Sequence, residues 1–356
     1  MDNHQPIYII APFPEGEDLR DGMMQRISVI DGILGSRSKI YVNISIKNKK
    51  FASKIHSENV KEYFFNPIFP FYIFKYFILK AKNIYSHSIH PLKYIPYFFL
   101  FSSQKFMVLD AHGVVPEEIK MYGKYSRYLY ALLIERLTFR HLNHCICVTN
   151  SMISHFMNRY KKHHVNYHLY STSRLLKPVD EGEVNSLRSQ LGYSEQDVVF
   201  IYSGNTQTWQ NIPLMVDAMA KLNSFKILIL TGEVQKFKDA FRERNIDMSN
   251  VEIFSVDPSA LNQYYALSHY GFILRDDSVV NEVANPTKML EYLQIGITPV
   301  VLFPKIGDYF LMNYEFLELK DLNNVSIKPY RSLRNIEIAK EIAANRENFN
   351  VASLFN

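Results

Sequence analysis

The chain has 356 residues, of which 47% are hydrophobic and 21% charged. This composition is typical of a folded globular protein and excludes a disordered one. The length exceeds what a single hydrophobic core usually fills, so two domains are expected. Residues 1–172 have a net charge of +10 and the remainder a net charge of −5, which favours different partners for the two halves.

The first half alternates short apolar runs with helical patterns. The helical segment 22–35 places Met23, Ile27, Ile30 and Leu34 on one face. The predicted strands of this half are 7–11, 38–45, 106–110 and 144–149. Alternation of this kind predicts a parallel sheet covered by helices on both faces. The first apolar run is too short for the core of a targeting signal.

The two cysteines, Cys145 and Cys147, lie on the same face of one predicted strand. Residues two apart on a strand rarely form a disulfide, so two reduced thiols in a cytosolic protein are expected. Metal binding together with His141 or His144 is the alternative. The sequence offers too few suitably spaced ligands for a recognisable zinc pattern.

An aromatic segment runs from Phe64 to Leu79 and is followed by Lys80 and Lys82. A transmembrane helix needs about 20 apolar residues, and this run is interrupted by Asn66, two prolines and Lys75. Two alternatives stay open: helices of the core, or a segment at a membrane surface with basic anchors.

The second half begins a new alternation after the charged run 174–182, which is the best linker. The expected domains are 1–172 and 173–342, with a C-terminal helix at about 343–356 packing back on the first. A helix is predicted for 212–222. The predicted strands are 198–203, 225–231, 251–255, 271–275 and 298–303.

The segment Asn285–Gly296 predicts a helix whose first turn binds an anion. Asn285 is a good N-cap, Pro286 suits the first helical position, and Lys288 adds an ammonium beside free backbone N–H groups. Glu291, one turn on, has acceptor oxygens that suit the hydroxyls of a ribose. An ordinary capped helix is the alternative. The donor-binding candidates in this segment are Asn285, Pro286, Thr287 and Glu291.

Further candidates follow two predicted strands of the second half. Gly204 and Asn205 would let backbone approach a phosphate, and Arg275 can donate two hydrogen bonds to its oxygens. Arg275 and Lys288 are the expected catalytic cations, because negative charge grows on a departing diphosphate. Asp276 and Asp277 are a weak metal pair, since extended neighbours point to opposite faces and Arg275 competes for them.

Asp110 and His112 form the strongest polar cluster of the first half. Asp110 ends a predicted buried strand and His112 precedes Gly113, so both are expected at the carboxyl edge of the sheet. Both are therefore candidates for a functional site. A loop histidine with satisfied hydrogen bonds is the alternative for His112.

Several enzyme classes lack their motifs in this sequence. No Gly-x-Gly-x-x-Gly follows the first strand, which disfavours a dinucleotide dehydrogenase. The sequence has neither a P-loop nor a Gly-x-Ser-x-Gly nucleophile elbow.

The runs 270–275 and 283–296 together resemble the donor-binding signature of GT-B glycosyltransferases similar to family 4. The resemblance implies an α/β protein of the GT-B type, with two Rossmann-like domains facing each other across a cleft. It also implies a retaining enzyme that uses a nucleotide sugar without a metal ion or other cofactor. Asp110-Ala-His112-Gly resembles the family loop near the donor sugar and acceptor, and this resemblance implies that Asp110 and His112 are catalytic. One departure is that the first glutamate of the family pattern falls on Val283, with Glu282 one residue out of step.

The expected function is therefore sugar transfer to a glycan, lipid-linked and made for a bacterial surface polysaccharide such as lipopolysaccharide (O-antigen) or capsule. The predicted partners are a nucleotide-sugar donor, this acceptor and an anionic membrane surface, with no nucleic acid. The predicted location is the cytoplasm, peripherally at the inner face of the cell membrane. The alternatives are another GT-B enzyme, such as a nucleotide-sugar epimerase or a phosphorylase, and a non-catalytic partner subunit.

Overall fold

The computed structural model describes residues 5–16, 22–161, 163–171, 175–257, 259–347 and 349–356. The chain forms two compact units. The N-terminal unit comprises Met1–Thr172 and Arg346–Asn356, and the C-terminal unit comprises Ser173–Asn345. Among the described residues, every helix is too short or too polar to cross a bilayer.

The N-terminal unit contains one sheet in the order β3-β4-β2-β1-β5-β6-β7-β8. All neighbouring strands are parallel except β3 and β4, which form an antiparallel hairpin. The strands predicted from apolar runs are confirmed, whereas β3, β4, β5 and β8 are not among the predictions. The strands are β1 (Ile7–Ile10), β2 (Lys39–Ile44), β3 (Phe51–Ser57), β4 (Val60–Phe65), β5 (Asn83–His87), β6 (Phe106–Ala111), β7 (His144–Cys147) and β8 (Asn166–Leu169).

Helices connect the parallel strands of this unit. The buried face of the first helix is wider than predicted, because Met24 and Arg26 are buried while Met23 packs against the same core partly buried. The helices are α1 (Gly22–Leu34), α2 (Pro70–Ile73), α3 (Val115–Met121), α4 (Tyr125–His141) and α5 (Asn150–Arg159), with a π-helical turn Phe74–Ile78 and 3₁₀ helices Pro91–Tyr94 and Pro96–Phe101.

The aromatic segment contributes both to the core and to the surface. Phe65, Ile73, Phe77 and Ile78 are fully buried, so the core interpretation holds for these side chains. Other apolar side chains of residues 68–101 are exposed: Ile68, Phe71, Leu79, Leu100 and Phe101. Both alternatives therefore keep support, each for a different part of the segment.

The C-terminal unit contains a fully parallel sheet in the order β11-β10-β9-β12-β13-β14. Side chains of successive strand residues point to opposite faces of this sheet, so they pack in two different hydrophobic cores. Ile201 packs with Tyr265 and Met289, whereas Phe200 packs with Met215. The elements are β9 (Val199–Ser203), β10 (Lys226–Leu230), β11 (Val251–Phe254), β12 (Tyr270–Ile273), β13 (Thr298–Val301), β14 (Leu317–Glu318), α6 (Glu181–Gln190), α7 (Ile212–Met219), α8 (Val234–Glu243), α9 (Leu261–Leu267), α10 (Val279–Glu282), α11 (Thr287–Ile295) and α12 (Leu333–Glu347), with 3₁₀ helices Thr208–Gln210, Ala220–Leu222 and Leu319–Asp321.

The segment after α12 belongs to the N-terminal unit. Its 3₁₀ helix, Val351–Phe355, buries Val351 in the core of that unit. The Phe355 ring lies 5.6 Å from the ring of Phe106, and Arg37 donates to the Phe355 carbonyl at 3.2 Å. The contact is made by this short helix, while α12 itself lies mostly in the C-terminal unit.

Candidate active site

The donor-site candidates meet at the switch point of the C-terminal sheet. The connection from β9 leads to β10 on one side, whereas β12 lies on the other side of β9. Gly204 and Asn205 follow β9, and Arg275 follows β12 by two residues. Ligands of open parallel sheets bind outside the carboxyl ends of the strands at such a point. The topology therefore brings these three residues to one edge.

Gly204 is packed directly against the end of Lys288. Its φ is +147°, which disfavours any residue with a side chain. A Cβ atom built there would lie 1.9 Å from Lys288 Nζ and 3.2 Å from the Tyr202 hydroxyl. The absence of a side chain at residue 204 is thus what allows the ammonium of α11 to reach the end of β9.

Lys288 is a largely enclosed cation. Burial, followed by the nearby charge of Arg275, lowers the pKa of Lys288 to about 8. Its Nζ also lies 5.1 Å from the centre of the Tyr202 ring. No ion pair of Lys288 occurs among the described residues. The nearby charge of Glu291 opposes part of this pKa shift, and an incoming anion would add a second counter-charge.

Arg275 is likewise held without a carboxylate partner in the described part of the chain. Its Nη1 donates to the Asn281 side-chain oxygen at 3.2 Å, and its Nε is buried without a hydrogen bond. Burial lowers the pKa of Arg275 to about 10. A buried N–H without an acceptor is costly, so the guanidinium has a donor ready for a ligand oxygen.

Helix α11 begins one residue later than predicted. The N-cap is Pro286, with an extended ψ of 124°, and Thr287 is the first helical residue. Asn285 is not the cap, because its side-chain oxygen accepts the Tyr309 hydroxyl at 2.5 Å. Among the described residues, the Pro286 cap makes no side-chain hydrogen bond to the first turn of the helix. Backbone N–H groups of this turn are therefore left for an anion. Gly296 ends the helix at φ 75°, as predicted.

Glu291 belongs to a buried chain of hydroxyl groups. Its Oε2 accepts the Tyr265 hydroxyl at 2.8 Å, and that hydroxyl lies 2.6 Å from Ser203 Oγ at the end of β9. Only 8% of Glu291 is exposed. Tyr265 was not predicted, since a tyrosine on the apolar face of a helix gives no sequence signal. It fixes the carboxylate next to the Gly204 loop.

Asp276 and Asp277 lie at the surface. Asp276 Oδ1 accepts Asn211 Nδ2 at 2.9 Å, and the same nitrogen donates to the Leu274 carbonyl at 3.0 Å. Asn211 has the left-handed φ of 50° and begins α7. Asp276 thus helps to join the loop before α7 to the end of β12.

Asp110 is the centre of a buried network in the N-terminal unit. It is 0% exposed, and both of its oxygens accept Arg26 Nε, at 3.0 and 2.9 Å. Tyr85 donates its hydroxyl to Asp110 Oδ2 at 2.9 Å. Arg26 holds the pKa of Asp110 well below its usual range against the effect of burial. Asp110 is therefore enclosed by its protein partners in this structure, and its catalytic role stays a prediction.

Two histidines turn toward the same carboxylate. Asp110 Oδ2 lies 3.3 Å from His87 Nδ1 and 3.4 Å from His112 Nε2. His87 is fully buried and its pKa is lowered to about 4, chiefly by burial. His112 is 21% exposed, which makes it the member of this network that a ligand can reach. His87 and Arg26 were not predicted from the sequence. The available signal was that His87 is the last residue of β5, just as Asp110 lies next to the last residue of β6.

The spacing of His87, Asp110 and His112 would also suit a metal ion, because their ligand atoms lie within 4.8 Å of one another. The existing hydrogen bonds of Asp110 disfavour a metal ion at this position. Asp110 already accepts Arg26 and the Tyr85 hydroxyl, and the guanidinium would repel a divalent cation at the same carboxylate. A hydrogen-bond network that orients His112 fits these contacts better.

The cysteines are free buried thiols, as predicted, with their sulfur atoms 3.7 Å apart. Their neighbour His144 contacts His168 at 2.8 Å between ring nitrogens.

Nearly the whole chain is similar in structure to several solved proteins. Sucrose-phosphate synthase from Thermosynechococcus elongatus matches 99% of this chain and 93% of its own, with a TM-score of 0.62 and 13% identity. HepE of Anabaena, solved with UDP-glucose, matches 99% and 93% with a TM-score of 0.60 and 12% identity. WaaG, a glycosyltransferase involved in lipopolysaccharide biosynthesis, matches 98% and 97% with a TM-score of 0.60 and 12% identity.

The chain has the GT-B fold. The fold expected from the sequence resemblance is therefore confirmed. At 12–13% identity these similarities establish the fold and leave the activity to the site itself. No protein-family model matches the sequence, and no curated protein matches it.

Proposed function

We propose that the protein is a retaining glycosyltransferase that moves a sugar from a nucleoside-diphosphate sugar to a glycan acceptor. The observation that carries this proposal is the pair of enclosed cations at the switch point of the C-terminal unit. Arg275 has an unused buried N–H, and Lys288 has a lowered pKa of about 8. Both flank a helix N-terminus, and together they suit a diphosphate.

In this proposal the anomeric C–O bond to the diphosphate breaks while the acceptor oxygen bonds the anomeric carbon on the same face. The acceptor proton passes to the leaving phosphate oxygen, so that no separate base is required. Arg275 and Lys288 stabilise the charge that grows on the leaving group and take the place of a metal ion. Gly204, Asn205, Pro286 and Thr287 supply backbone around the phosphates.

Glu291 binds the ribose of the donor in this scheme, held in place by Tyr265. His112 acts in the transfer step, and Asp110 is a positioning residue. With Nε2 of His112 turned toward Asp110, Nδ1 is the nitrogen that contacts a sugar or acceptor hydroxyl. Asn285 supports the loop through Tyr309 instead of capping the helix.

We further propose that the acceptor glycan is lipid-linked and that the enzyme serves a bacterial surface polysaccharide at the cytoplasmic face of the membrane. The fold similarity to WaaG, which is involved in lipopolysaccharide biosynthesis, supports this proposal. The exposed side chains Phe71, Leu100 and Phe101 support it as well. No Asp or Glu occurs between Glu62 and Asp110, so lysines dominate the charge of this segment. Sedimentation with anionic vesicles at low salt, and release at high salt, tests the membrane contact.

Thermal-shift measurements with UDP, GDP and CDP test the donor site first. At least one should raise the melting temperature of the wild type by several degrees, and the shift should shrink in Arg275→Ala. With the matching nucleotide sugar, transfer should continue in EDTA, and the product should keep the anomeric configuration of the donor.

Three outcomes would contradict the proposal. Loss of activity in EDTA that Mg²⁺ or Mn²⁺ restores would contradict metal independence. Conversion of the nucleotide sugar without any acceptor would indicate an epimerase. Absence of binding to all nucleotides would indicate a non-catalytic subunit.

A further inference from the structure

An unfilled groove opens on the N-terminal unit, outside the network of Asp110. It has a volume of about 390 Å³ and lies between α3, α4 and the 3₁₀ helix Pro91–Tyr94. This volume is within the range of small-molecule sites. We call it the α3–α4 groove.

The walls of the groove are apolar. Ile89, Val115, Ala131 and Ile134 line it, and all four are buried in the fold. A strong hydrogen bond holds the walls in place, because the Tyr130 hydroxyl on α4 donates to the Lys93 carbonyl at 2.6 Å. The groove thus has a fixed apolar interior, and polar substrates such as a bare sugar would lose hydrogen bonds to water there.

The other lining residues are basic or aromatic, apart from Ile119. Lys93 and Arg127 line the groove together with His90, and none of the lining residues is acidic. Neither Lys93 nor Arg127 has a carboxylate partner among the described residues. Lys93 Nζ instead lies 3.3 Å from His90 Nδ1, and this ammonium lowers the pKa of His90 in addition to burial. Apolar walls joined to uncompensated cations match a molecule that is hydrocarbon along one part and anionic at another.

The outer face of α4 also carries exposed apolar side chains. Tyr125, Leu129 and Leu133 are spaced four residues apart and are 63%, 50% and 52% exposed. The single acidic residue of α4, Glu135, is buried. An exposed apolar stripe without acidic groups next to the groove is favourable for a ligand that comes from a bilayer.

The groove also adjoins the catalytic candidate of the same unit. Ile89 follows His87 by two residues, and Val115 follows His112 by three. Both loops leave the carboxyl ends of the adjacent strands β5 and β6. A ligand in the groove would therefore lie along the loops that carry the network of Asp110.

We propose that the α3–α4 groove binds the phosphate-bearing end of a lipid, with the hydrocarbon chain on the apolar walls and the phosphate or diphosphate at Lys93 and Arg127. This proposal rests on the proposed transfer to a lipid-linked glycan, for which the groove would hold the lipid part of the acceptor. A free phosphate would bind more weakly, because it has no apolar part to contact the walls of the groove.

Direct binding of farnesyl diphosphate, measured by calorimetry without any nucleotide, tests the proposal. Arg127→Ala removes a charge at the protein surface, and Ala131→Phe fills the groove from α4. Each should weaken binding at least tenfold. Arg136→Ala, which removes an exposed charge from the same helix outside the groove, should leave the affinity within twofold. Inorganic diphosphate and farnesol should each bind at least tenfold more weakly than the joined molecule.

Unchanged affinity in Arg127→Ala and Ala131→Phe would overturn the proposal, and so would inorganic diphosphate binding as tightly as farnesyl diphosphate. UDP binding of each variant, measured in parallel, should equal that of the wild type. Failure of farnesyl diphosphate binding with normal UDP binding would refute the groove alone. Failure of UDP binding with normal farnesyl diphosphate binding would refute the donor site alone.

Discussion

Replacing Lys288 by methionine should stabilise the free protein while weakening nucleotide binding. Burial and Arg275 lower the pKa of Lys288 from 10.5 to about 8, which means that the fold carries an unfavourable charge. Each pKa unit corresponds to about 1.36 kcal/mol, so the full shift corresponds to at most about 3.4 kcal/mol. Partial access to water reduces this figure, and we expect a gain of about 1–3 kcal/mol at pH 7.

The pH dependence has a definite sign. The folded-state pKa is below the unfolded one, so the destabilisation is complete below pH 8. It disappears as the pH rises from 8 toward 10.5 and the ammonium loses its proton in both states. The stability difference between Lys288→Met and the wild type should therefore be largest at pH 7 and shrink above pH 8. Denaturant titrations at pH 7 and pH 9.5 measure both values.

Saturating UDP should stabilise the wild type more than it stabilises Lys288→Met. Loss of a charged hydrogen bond to phosphate costs about 1.5–3 kcal/mol, so the variant should bind at least tenfold more weakly. Lys221→Met, which removes an exposed ammonium from the same unit, is the matched control and should change neither quantity. If Lys288→Met is no more stable than the wild type at pH 7 while the control is neutral, Lys288 is not an uncompensated buried cation.

Three further substitutions test the remaining assignments. Gly204→Ala places a Cβ 1.9 Å from Lys288 Nζ at a φ of +147°, and UDP affinity should fall at least tenfold; calorimetry showing wild-type affinity would refute the close approach. His112→Ala should slow transfer about a hundredfold with an unchanged Kd for UDP, whereas an equal loss of affinity would place His112 in nucleotide binding. Glu291→Ala should cost about 1.5–3 kcal/mol of UDP affinity and abolish the preference for UDP over its 2′- and 3′-deoxy analogues; a preference that persists would refute the ribose assignment.

Nine strands were predictable, namely β1, β2, β6, β7 and β9 to β13, because each is a short run of apolar residues between turns, whereas β4, β5, β8 and β14 were not predicted. Val199–Ser203 is buried at every position, as a central parallel strand requires. β3 escaped prediction for the converse reason. Phe51–Ser57 lies at the sheet edge with three exposed residues in its middle, so its composition does not differ from that of a loop.

The start of α11 shows the limit of local rules. Asn285-Pro286 is a good capping sequence, but Tyr309, 24 residues away, takes the asparagine side chain. Contacts over such distances along the chain leave no trace in local propensity. Asp110 illustrates the same limit, because its partner Arg26 is 84 residues away on an otherwise apolar helix face. The sequence predicted a polar loop at the end of β6, and the structure shows that Asp110 in it is buried whereas His112 is partly exposed.

The return of Val351–Phe355 to the N-terminal unit has a consequence for biosynthesis. Domains usually fold in the order in which they leave the ribosome. Here the core that contains Ile9 and Tyr85 receives Val351 and Phe355 only after the entire C-terminal unit has been translated. The unit that begins synthesis is consequently the one completed last, and until then its first strands must persist with an open hydrophobic site that chaperones can recognise.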